Sequence, residues 1–386
     1  MLGTLRSRMA GATLAAGCLI TSCVLAVSAA PAAAAAQSDS LQRELDSLVS
    51  SQGGPPGVIV VMERGGHRKI YRSGFAVVDR RLPNPDDHMR IASVAKAFSG
   101  AVALSLVDTG TLSLDDTIAR RLPRLPAAWG AVTLRELLQH TSGLPDYSAS
   151  DAFRKLIEAN PRRRFDSSRL LSFVASDPLL FTPGTQYKYS NSDNIAVALM
   201  AEVATGHTYQ DLLKSLVFSR LGLRGTSLPT GFKLPKPFMH GYVVPLTGAP
   251  EDVSTVLGAS GAWASGGIVS TPNDLATFIK AYAGPELISR STRSQQQNVV
   301  AGGSEPPGPG ANAAGLAIFR YTTRCGVVWG HTGNTLGYTQ LAVGTADGSR
   351  SLTFSVNETL TQKTDPVLFA KMRRIQEDFV CSLLRR

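Results

Sequence analysis

The sequence predicts an α/β (α+β) domain over residues 37–386, in which helices flank an antiparallel sheet formed from both ends of the chain. Short runs of β-branched and aromatic residues lie near both ends of this stretch, whereas helical patterns dominate about 111–255. We therefore assign about 37–110 and 256–386 to the part that contains the sheet, and the middle of the chain to an inserted helical subdomain. With 43% hydrophobic and 18% charged residues, the chain has the composition of a globular protein with a large core.

Residues 1–36 have the features of an export signal. Arg6 and Arg8 precede an apolar run, and small residues lead up to Gln37. We therefore expect a secreted protein that begins near Gln37. The residues before Cys23 also resemble a bacterial lipobox, so a protein that is lipid-anchored at Cys23 is the alternative. Because the apolar, alanine-rich stretch continues well past Cys23, we favour secretion.

The net charge of the chain, +10 at pH 7, predicts attraction to anionic surfaces. Removal of the signal lowers this charge by two arginines only, and a bacterial cell wall is the anionic partner that an exported protein would meet. Nucleic acid is not an expected partner, because the basic residues are scattered and are not interleaved with aromatic ones.

Other partners are also limited by the sequence. No segment after the signal offers about 20 consecutive apolar residues, so the mature chain is not expected to span a membrane. The six histidines show no paired spacing of the kind that metal ligands have, so we expect no metal. We likewise expect no cofactor and a monomer.

Three elements are predicted before residue 111 from hydrophobic pattern and turn residues: a helix at Leu41–Val49, a hairpin of Val58–Val61 and Lys69–Tyr71, and a buried helix at 94–109. Gly65 and Gly66 supply the turn of the hairpin. The buried helix stops at Gly110, and Ser93 lies at its start.

The rest of the chain is assigned in the same way. Five helices are predicted in the helical subdomain: Leu134–Gln139, Ala152–Ala159, Ser168–Ala175, Ile195–Ala204 and Tyr209–Leu221. Thr271 should cap a helix that runs towards Tyr282, and glycine and proline make 302–310 a flexible stretch. An antiparallel meander should follow: Gly315–Tyr321, Val327–Gly330, Tyr338–Val343 and Ser351–Val356. Asp365 and the proline after it predict the start of a last helix.

The single Ser-x-x-Lys of the chain, Ser93 to Lys96, is the first candidate catalytic motif. A three-residue spacing on a helix places the hydroxyl and the ammonium on the same face. Amide dipoles at the helix start would activate the serine, and a desolvated lysine could take its proton. The structural alternative is an N-cap serine followed by a lysine that reaches water.

Two overlapping candidates for a second motif follow one another, Tyr-Ser-Asn from Tyr189 and Ser-Asp-Asn from Ser192. The helix predicted next needs an N-cap, which Ser192 or Asp193 would supply. Tyr189 and Asn191 would then lie in the preceding loop, free to point into a cleft. We favour Tyr189 and Asn191 as the functional pair.

The third candidate motif is the run from His331 to Asn334, after a β-rich segment. A strand edge that pairs with an extended substrate needs small residues and free backbone groups, which Thr332 and Gly333 provide. Taken alone, His331 would be a structural histidine, but its position after the other two motifs favours a functional one.

Cys325 and Cys381 are the cysteines that remain after removal of the signal. An isolated pair in an oxidising compartment is more often bridged than catalytic, so we predict a disulfide between them. Two buried free thiols are the alternative.

The three motifs, in this order, resemble those of the serine hydrolase family of class C β-lactamases, D-alanyl-D-alanine carboxypeptidases and related esterases. The segments Leu137–Leu144 and Ser265–Thr271 are also similar to this family, so the resemblance spans nearly all of 37–386. It implies a β-lactamase/transpeptidase-like fold. Within the family, His331 to Tyr338 and the two mature cysteines most resemble the secreted D-alanyl-D-alanine carboxypeptidase/transpeptidases of Streptomyces.

The resemblance implies acyl transfer. Ser93 would attack a carbonyl while Lys96 and Tyr189 move its proton, and either of these two could be the principal base. The backbone amides of Ser93 and Asn334 would receive the oxyanion. Six residues are implied in substrate binding: Asn191, His331, Thr332, Gly333, Asn334 and Arg320.

The implied substrates are peptidoglycan peptides that end in D-Ala-D-Ala, with β-lactams as penicillin-type acylating agents. A class C-like β-lactamase or an esterase on the same scaffold is the alternative, and a non-catalytic penicillin-binding or wall-binding domain is less expected. Where the carboxypeptidases carry arginines for a C-terminal carboxylate, Ile318–Tyr321 of this chain offers Arg320 alone. This departure puts carboxypeptidase specificity in doubt.

Overall fold

The computed structural model describes residues 30–245 and 247–385, with side chains from Asp39 onward. The described residues from Ser40 onward belong to one compact unit. The predicted signal lies outside the described residues except for its last part, which is helical, and Cys23 lies outside them too. The predicted boundaries of a helical subdomain stay a prediction.

The helical segments of the described chain are α1 (Ala30–Val49), α2 (Ala95–Asp108), α3 (Ile118–Arg121), α4 (Leu134–Gln139), α5 (Asp151–Ala159), α6 (Asn191–Thr205), α7 (Tyr209–Leu213), α8 (Ser219–Leu221), α9 (Trp263–Gly266), α10 (Pro272–Ala283), α11 (Arg290–Gln296) and α12 (Pro366–Leu384). Within the described residues, no helix combines the length and the apolar content that a membrane span requires.

The strands are β1 (Gly57–Arg64), β2 (His67–Gly74), β3 (Met89–Arg90), β4 (Tyr242–Val243), β5 (Glu251–Asp252), β6 (Val269–Ser270), β7 (Val300–Ala301), β8 (Ala311–Ala314), β9 (Phe319–Thr323), β10 (Gly326–Thr335), β11 (Tyr338–Gly344) and β12 (Arg350–Val356). Eight of them form the main sheet in the order β2-β1-β12-β11-β10-β9-β8-β7. The remaining four make two short pairs, β3 with β6 and β4 with β5.

The main sheet is formed from both ends of the chain, as predicted. All its neighbouring strands are antiparallel, and the N-terminal hairpin joins the C-terminal strands where Val58 lies opposite Val356. Gly65 and Gly66 make the turn of this hairpin with positive φ angles, which glycine adopts without steric cost. The predicted α/β fold with an antiparallel sheet and flanking helices is therefore confirmed.

Successive side chains of a strand point to opposite faces of the sheet, so each strand contributes to two clusters, one on each face. Val58 and Val60 of β1 pack in one cluster with residues of α12, such as Phe379, and with the described part of α1. Ile59 lies between them in sequence and packs in another cluster on the opposite face. On that face α10 packs on the sheet. The turn that contains Ser93, just before α2, packs on β10 and β11.

Several predicted elements differ from the observed ones. The helix predicted at Tyr209–Leu221 is divided by a π-helical turn at Lys214–Phe218 between α7 and α8, and the helix predicted at Ser168–Ala175 is a 3-10 helix over Ser167–Val174. Residues predicted to begin the meander at Gly315 form a turn, because the Gly315 amide donates to the Ile318 carbonyl before β9 starts. The sequence analysis also missed α11, β7 and β8.

The predicted disulfide between Cys325 and Cys381 is present, with Cα atoms 5.1 Å apart. It joins the turn between β9 and β10 to α12, and thus ties the strand that carries the third motif to the last helix.

We expect the disulfide to stabilise the fold by limiting the entropy of the unfolded chain. For a sequence separation of 56 residues, loop closure predicts a loss of about 4 kcal/mol in the free energy of unfolding when both cysteines are replaced by serine. Urea denaturation of the double variant and of the unreduced wild type would measure this loss. An unchanged unfolding midpoint would show that the cross-link contributes nothing.

Candidate active site

Ser93 lies in a 3-10 turn, Ala92–Val94, that leads directly into α2. Ala92 has a positive φ of 48°, a strained conformation for a residue with a Cβ atom. A Cβ atom at Gly333 of β10 would lie 2.4 Å from the Ile91 carbonyl oxygen and 3.1 Å from the Ser93 nitrogen. The glycine of the third motif is therefore what lets β10 approach the amide of the candidate nucleophile.

Lys96 is fully buried beside Ser93. The alternative of a lysine that reaches water is therefore wrong. Its Nζ donates to Ser93 Oγ at 3.1 Å and to Asn191 Oδ1 and the Ser265 carbonyl, both at 2.7 Å. Burial lowers the pKa of Lys96 from 10.5 to about 7, while nearby acidic side chains, Asp146 first among them, act in the opposite direction. A lysine with this pKa is partly neutral at physiological pH and can accept the proton of a hydroxyl group.

Tyr189 lies against the same lysine, with Lys96 Nζ 5.0 Å from its ring centre. Burial raises the pKa of Tyr189 well above its usual value, although the Ser93 hydroxyl acts in the opposite direction. Among the described residues, the Tyr189 hydroxyl has no partner in hydrogen-bond geometry. The tyrosine is therefore a buried, neutral hydroxyl group next to Ser93 and Lys96.

Asn191 points into the site, but the cap of its helix is not the one predicted. Ser190 is the N-cap of α6, and its Oγ accepts from the Ser192 amide, so Asn191 is the first helical residue. The prediction that Ser192 or Asp193 caps this helix is wrong, because both side chains are buried in other hydrogen bonds. Nδ2 of Asn191 donates to Asp146 Oδ2 at 2.9 Å, which leaves Oδ1 to accept from the lysine.

The sequence analysis missed a buried pair, His140 and Asp193, in which the histidine packs against Tyr189. The His140 ring is 4.5 Å from the Tyr189 ring, and its Nδ1 lies 2.7 Å from Asp193 Oδ2. Ser142 donates to the other carboxyl oxygen of Asp193 at 2.5 Å. Burial raises the pKa of Asp193 and lowers that of His140 to about 3, so both groups favour their neutral forms. In the sequence, the only role that Asp193 suggested was that of a helix cap.

The third motif forms the end of β10 instead of following it. His331 is fully buried, and its Nδ1 donates to the Thr332 carbonyl at 2.5 Å. Burial lowers the pKa of His331 to about 3, so the ring is neutral. The side chain of Asn334 donates to Thr339 and to the Leu360 carbonyl, so its backbone is the part that can serve the site.

A cleft of about 310 Å³ opens beside these residues. Ser93, Asn191 and Asn334 lie on its wall, and Tyr147, Phe153 and Leu257 give it an apolar side. Arg320 is not among the lining residues and lies on β9 opposite Trp329. The lining residues from 147 to 157 and from 257 to 266 were not predicted, because no motif marks them.

The stretch predicted to be flexible, 302–310, is held at several points. Tyr187 donates to the Gly303 carbonyl at 2.5 Å, and Tyr321 donates to Ser304 Oγ at 2.9 Å. Arg373 of α12 donates to the Gly308 carbonyl. This loop is therefore fixed next to the third motif, although none of its residues lines the cleft.

We expect the rate of Ser93 acylation to rise with pH and to reach half its maximum at about pH 7, because neutral Lys96 can take the serine proton and the ammonium cannot. Lys96→Ala should lower the rate by on the order of a hundredfold and remove this pH dependence. Stopped-flow acylation by nitrocefin from about pH 5.5 to about pH 9 would measure both. The same midpoint in the alanine variant would mean that another group titrates.

Asp193→Ala tests the buried pair beside Tyr189. Alanine leaves His140 and Ser142 without their shared partner, so we expect a loss of about 1–3 kcal/mol in the free energy of unfolding and a slower acylation step. Asp177→Ala is the matched control, because Asp177 is exposed. Denaturation curves and acylation rates for both variants decide the point; equal behaviour would remove any role for this pair.

Comparison with known proteins extends these observations. The Beta-lactamase family matches residues 35–376. The chain is 26% identical over 272 residues to the D-alanyl-D-alanine-carboxypeptidase/endopeptidase AmpH of Escherichia coli, which covers 68% of this chain and 66% of AmpH. It is 32% identical over 206 residues to a D-aminopeptidase of Cereibacter sphaeroides, which covers 53% of this chain and 39% of that protein. The chain thus spans less than two thirds of the length of these relatives.

The fold is also found in solved structures. A D-stereospecific amidohydrolase from a Streptomyces species superimposes with a TM-score of 0.74 and 28% identity, over 87% of this chain and 98% of that one. The family match extends through all three motifs that meet at the cleft. The chain therefore belongs to the Beta-lactamase family of serine hydrolases.

Proposed function

We propose that the protein is an exported hydrolase that forms an acyl-enzyme at Ser93 with substrates containing D-residues. The observation that carries this proposal is the burial of Lys96 between Ser93 Oγ, Asn191 Oδ1 and the Ser265 carbonyl. Desolvation brings the pKa of this lysine near neutrality, which is what activation of a serine hydroxyl requires.

In the proposed mechanism, neutral Lys96 takes the proton of Ser93 as Oγ attacks the substrate carbonyl. The backbone amides of Ser93 and Asn334 stabilise the oxyanion, an arrangement supported by the close approach that Gly333 permits. The proton then passes through Tyr189 to the leaving nitrogen as the carbon–nitrogen bond breaks. Water attacks the ester in a second step and regenerates Ser93.

Two classes of substrate fit this chemistry. The first is a peptidoglycan peptide that ends in D-Ala-D-Ala, as in the Streptomyces carboxypeptidases, which the motifs and the similarity to AmpH support. The second is an amide or peptide of a D-amino acid, which the similarity to a D-aminopeptidase and a D-stereospecific amidohydrolase supports. One structural observation favours the second: among the described residues that line the cleft, none is a lysine or an arginine that could hold a terminal carboxylate.

The fate of a β-lactam at Ser93 would separate these hydrolases from a β-lactamase. His331 is neutral where class C β-lactamases carry a lysine, so the site has less fixed positive charge for the β-lactam carboxylate. No aspartate or glutamate is found among the described lining residues to activate a deacylating water. Acylation should therefore outpace release.

We expect penicillin to label Ser93 in a burst of one molecule per enzyme, followed by slow release. Intact-mass analysis would locate the adduct, and Ser93→Ala should not be labelled. Steady-state hydrolysis of nitrocefin would measure release; sustained turnover near ~100 per second, which is typical of efficient enzymes, would favour a β-lactamase. Labelling of the alanine variant would instead remove Ser93 as the nucleophile.

A further inference from the structure

The leaving-group side of the cleft can be located from the proposed mechanism, on which this inference rests. Tyr189 has to deliver a proton to the leaving atom, so the leaving group must lie beside the Tyr189 hydroxyl. The residues of β10 on this side are His331, which is next to Tyr189, and Thr332, which follows it. Whatever charge surrounds these three residues therefore selects among leaving groups.

The loop of residues 302–310 lies on this side, next to the third motif. Its start is fixed by the Tyr187 hydroxyl, two residues before Tyr189, which donates to the Gly303 carbonyl. Its next part is fixed by Thr332, whose Oγ1 donates to the Pro306 carbonyl at 2.5 Å. Glu305 therefore lies on a segment held between the second and the third motif.

Thr332 was expected to hold the substrate, but its hydroxyl proton is already used. Oγ1 gives that proton to the Pro306 carbonyl, so it can offer only lone pairs to an incoming group. The Pro306 carbonyl oxygen accepts from Ser304 Oγ as well, at 3.1 Å, so both of its lone pairs are used within the protein. A carboxylate would meet acceptors here, whereas an amide N–H or an ammonium would meet partners.

Glu305 adds an acidic side chain to this loop. Its side chain is exposed, and it forms no salt bridge with a described residue. It lies within electrostatic range of the catalytic groups, because its carboxylate raises the pKa of both Lys96 and Tyr189. His331 is neutral and cannot offset this charge.

We propose that Glu305 makes the leaving-group side of the cleft selective for uncharged or cationic leaving groups. Amides and esters of D-residues are then better substrates than peptides that end in a free carboxylate. The reaction needs no additional reactant: the acyl carbon passes to Ser93 Oγ, and the leaving nitrogen or oxygen takes the serine proton.

A matched pair of substrates isolates the effect of charge. N-acetyl-D-Ala-D-Ala and its C-terminal amide differ only in the carboxylate of the leaving group, so the ratio of their kcat/KM values measures discrimination at this side. We expect wild type to prefer the amide by about tenfold or more, which corresponds to about 1.4 kcal/mol and is reasonable for one partly screened charge. The preference should shrink at about 0.5 M salt, because exposed charges are screened.

Glu305→Gln should lower this ratio by about tenfold, mainly by improving turnover of the acid, and Glu305→Lys should reverse the preference. Glu286→Gln is the control, because Glu286 is also exposed but no contact links it to the site. An equal ratio in wild type and in Glu305→Gln would overturn the proposal. A selective loss of acid turnover in Arg320→Gln would also overturn it, since the carboxylate would then bind at Arg320.

Labelling of Ser93 by an uncharged fluorophosphonate distinguishes failure of this inference from failure of the proposed function. At about pH 9, where Lys96 is neutral whether or not Glu305 acts on its pKa, every Glu305 and Glu286 variant should be labelled at the wild-type rate within about threefold, because the probe carries no leaving-group carboxylate. Normal labelling with an unchanged substrate ratio would remove only the role of Glu305. Absence of labelling in wild type would remove the acyl-enzyme itself.

Discussion

The site depends on one buried lysine. Lowering the pKa of Lys96 from 10.5 to about 7 corresponds to about 5 kcal/mol against its charged form, a cost that the rest of the fold has to offset. The three acceptors around Nζ come from the start of α2, the start of α6 and α9. These helices must therefore pack correctly before the lysine has partners at all, which couples the chemistry of the site to the integrity of the core.

The groups around the lysine are arranged so that few of them carry charge. His331, Tyr189 and the His140–Asp193 pair are all buried, and each favours its neutral form. In such surroundings a single proton shared between Ser93 and Lys96 dominates the local electrostatics, because buried neutral groups screen it only weakly.

Motifs made the candidate catalytic residues predictable, because the proposed acyl transfer needs a fixed set of groups at fixed spacing. Ser93, Lys96, Tyr189 and Asn191 come together as the sequence indicated, and so do the strands of both chain ends. The surroundings were not predictable, because they depend on contacts between distant segments. Asp193 looked like a helix cap, and the glycine- and proline-rich loop looked flexible, until the partners supplied by other elements were known. Arg320 is a further example. The sequence predicted that it lies on a strand, but not that the residues lining the cleft would exclude it.

The pairing of β1 with β12 has a consequence for the order in which the chain can fold. Val58 lies opposite Val356, so the N-terminal hairpin can join the rest of the sheet only after almost the whole domain has been synthesised. Until then the hairpin of β1 and β2 exposes an unpaired, apolar edge that can pair with other chains. Sheets built from such distant segments form slowly, since a long loop must close before any contact compensates for its entropy. The folding rate of this protein should therefore be limited by the arrival of its last strand, and its newly made N-terminal hairpin is the segment most exposed to aggregation.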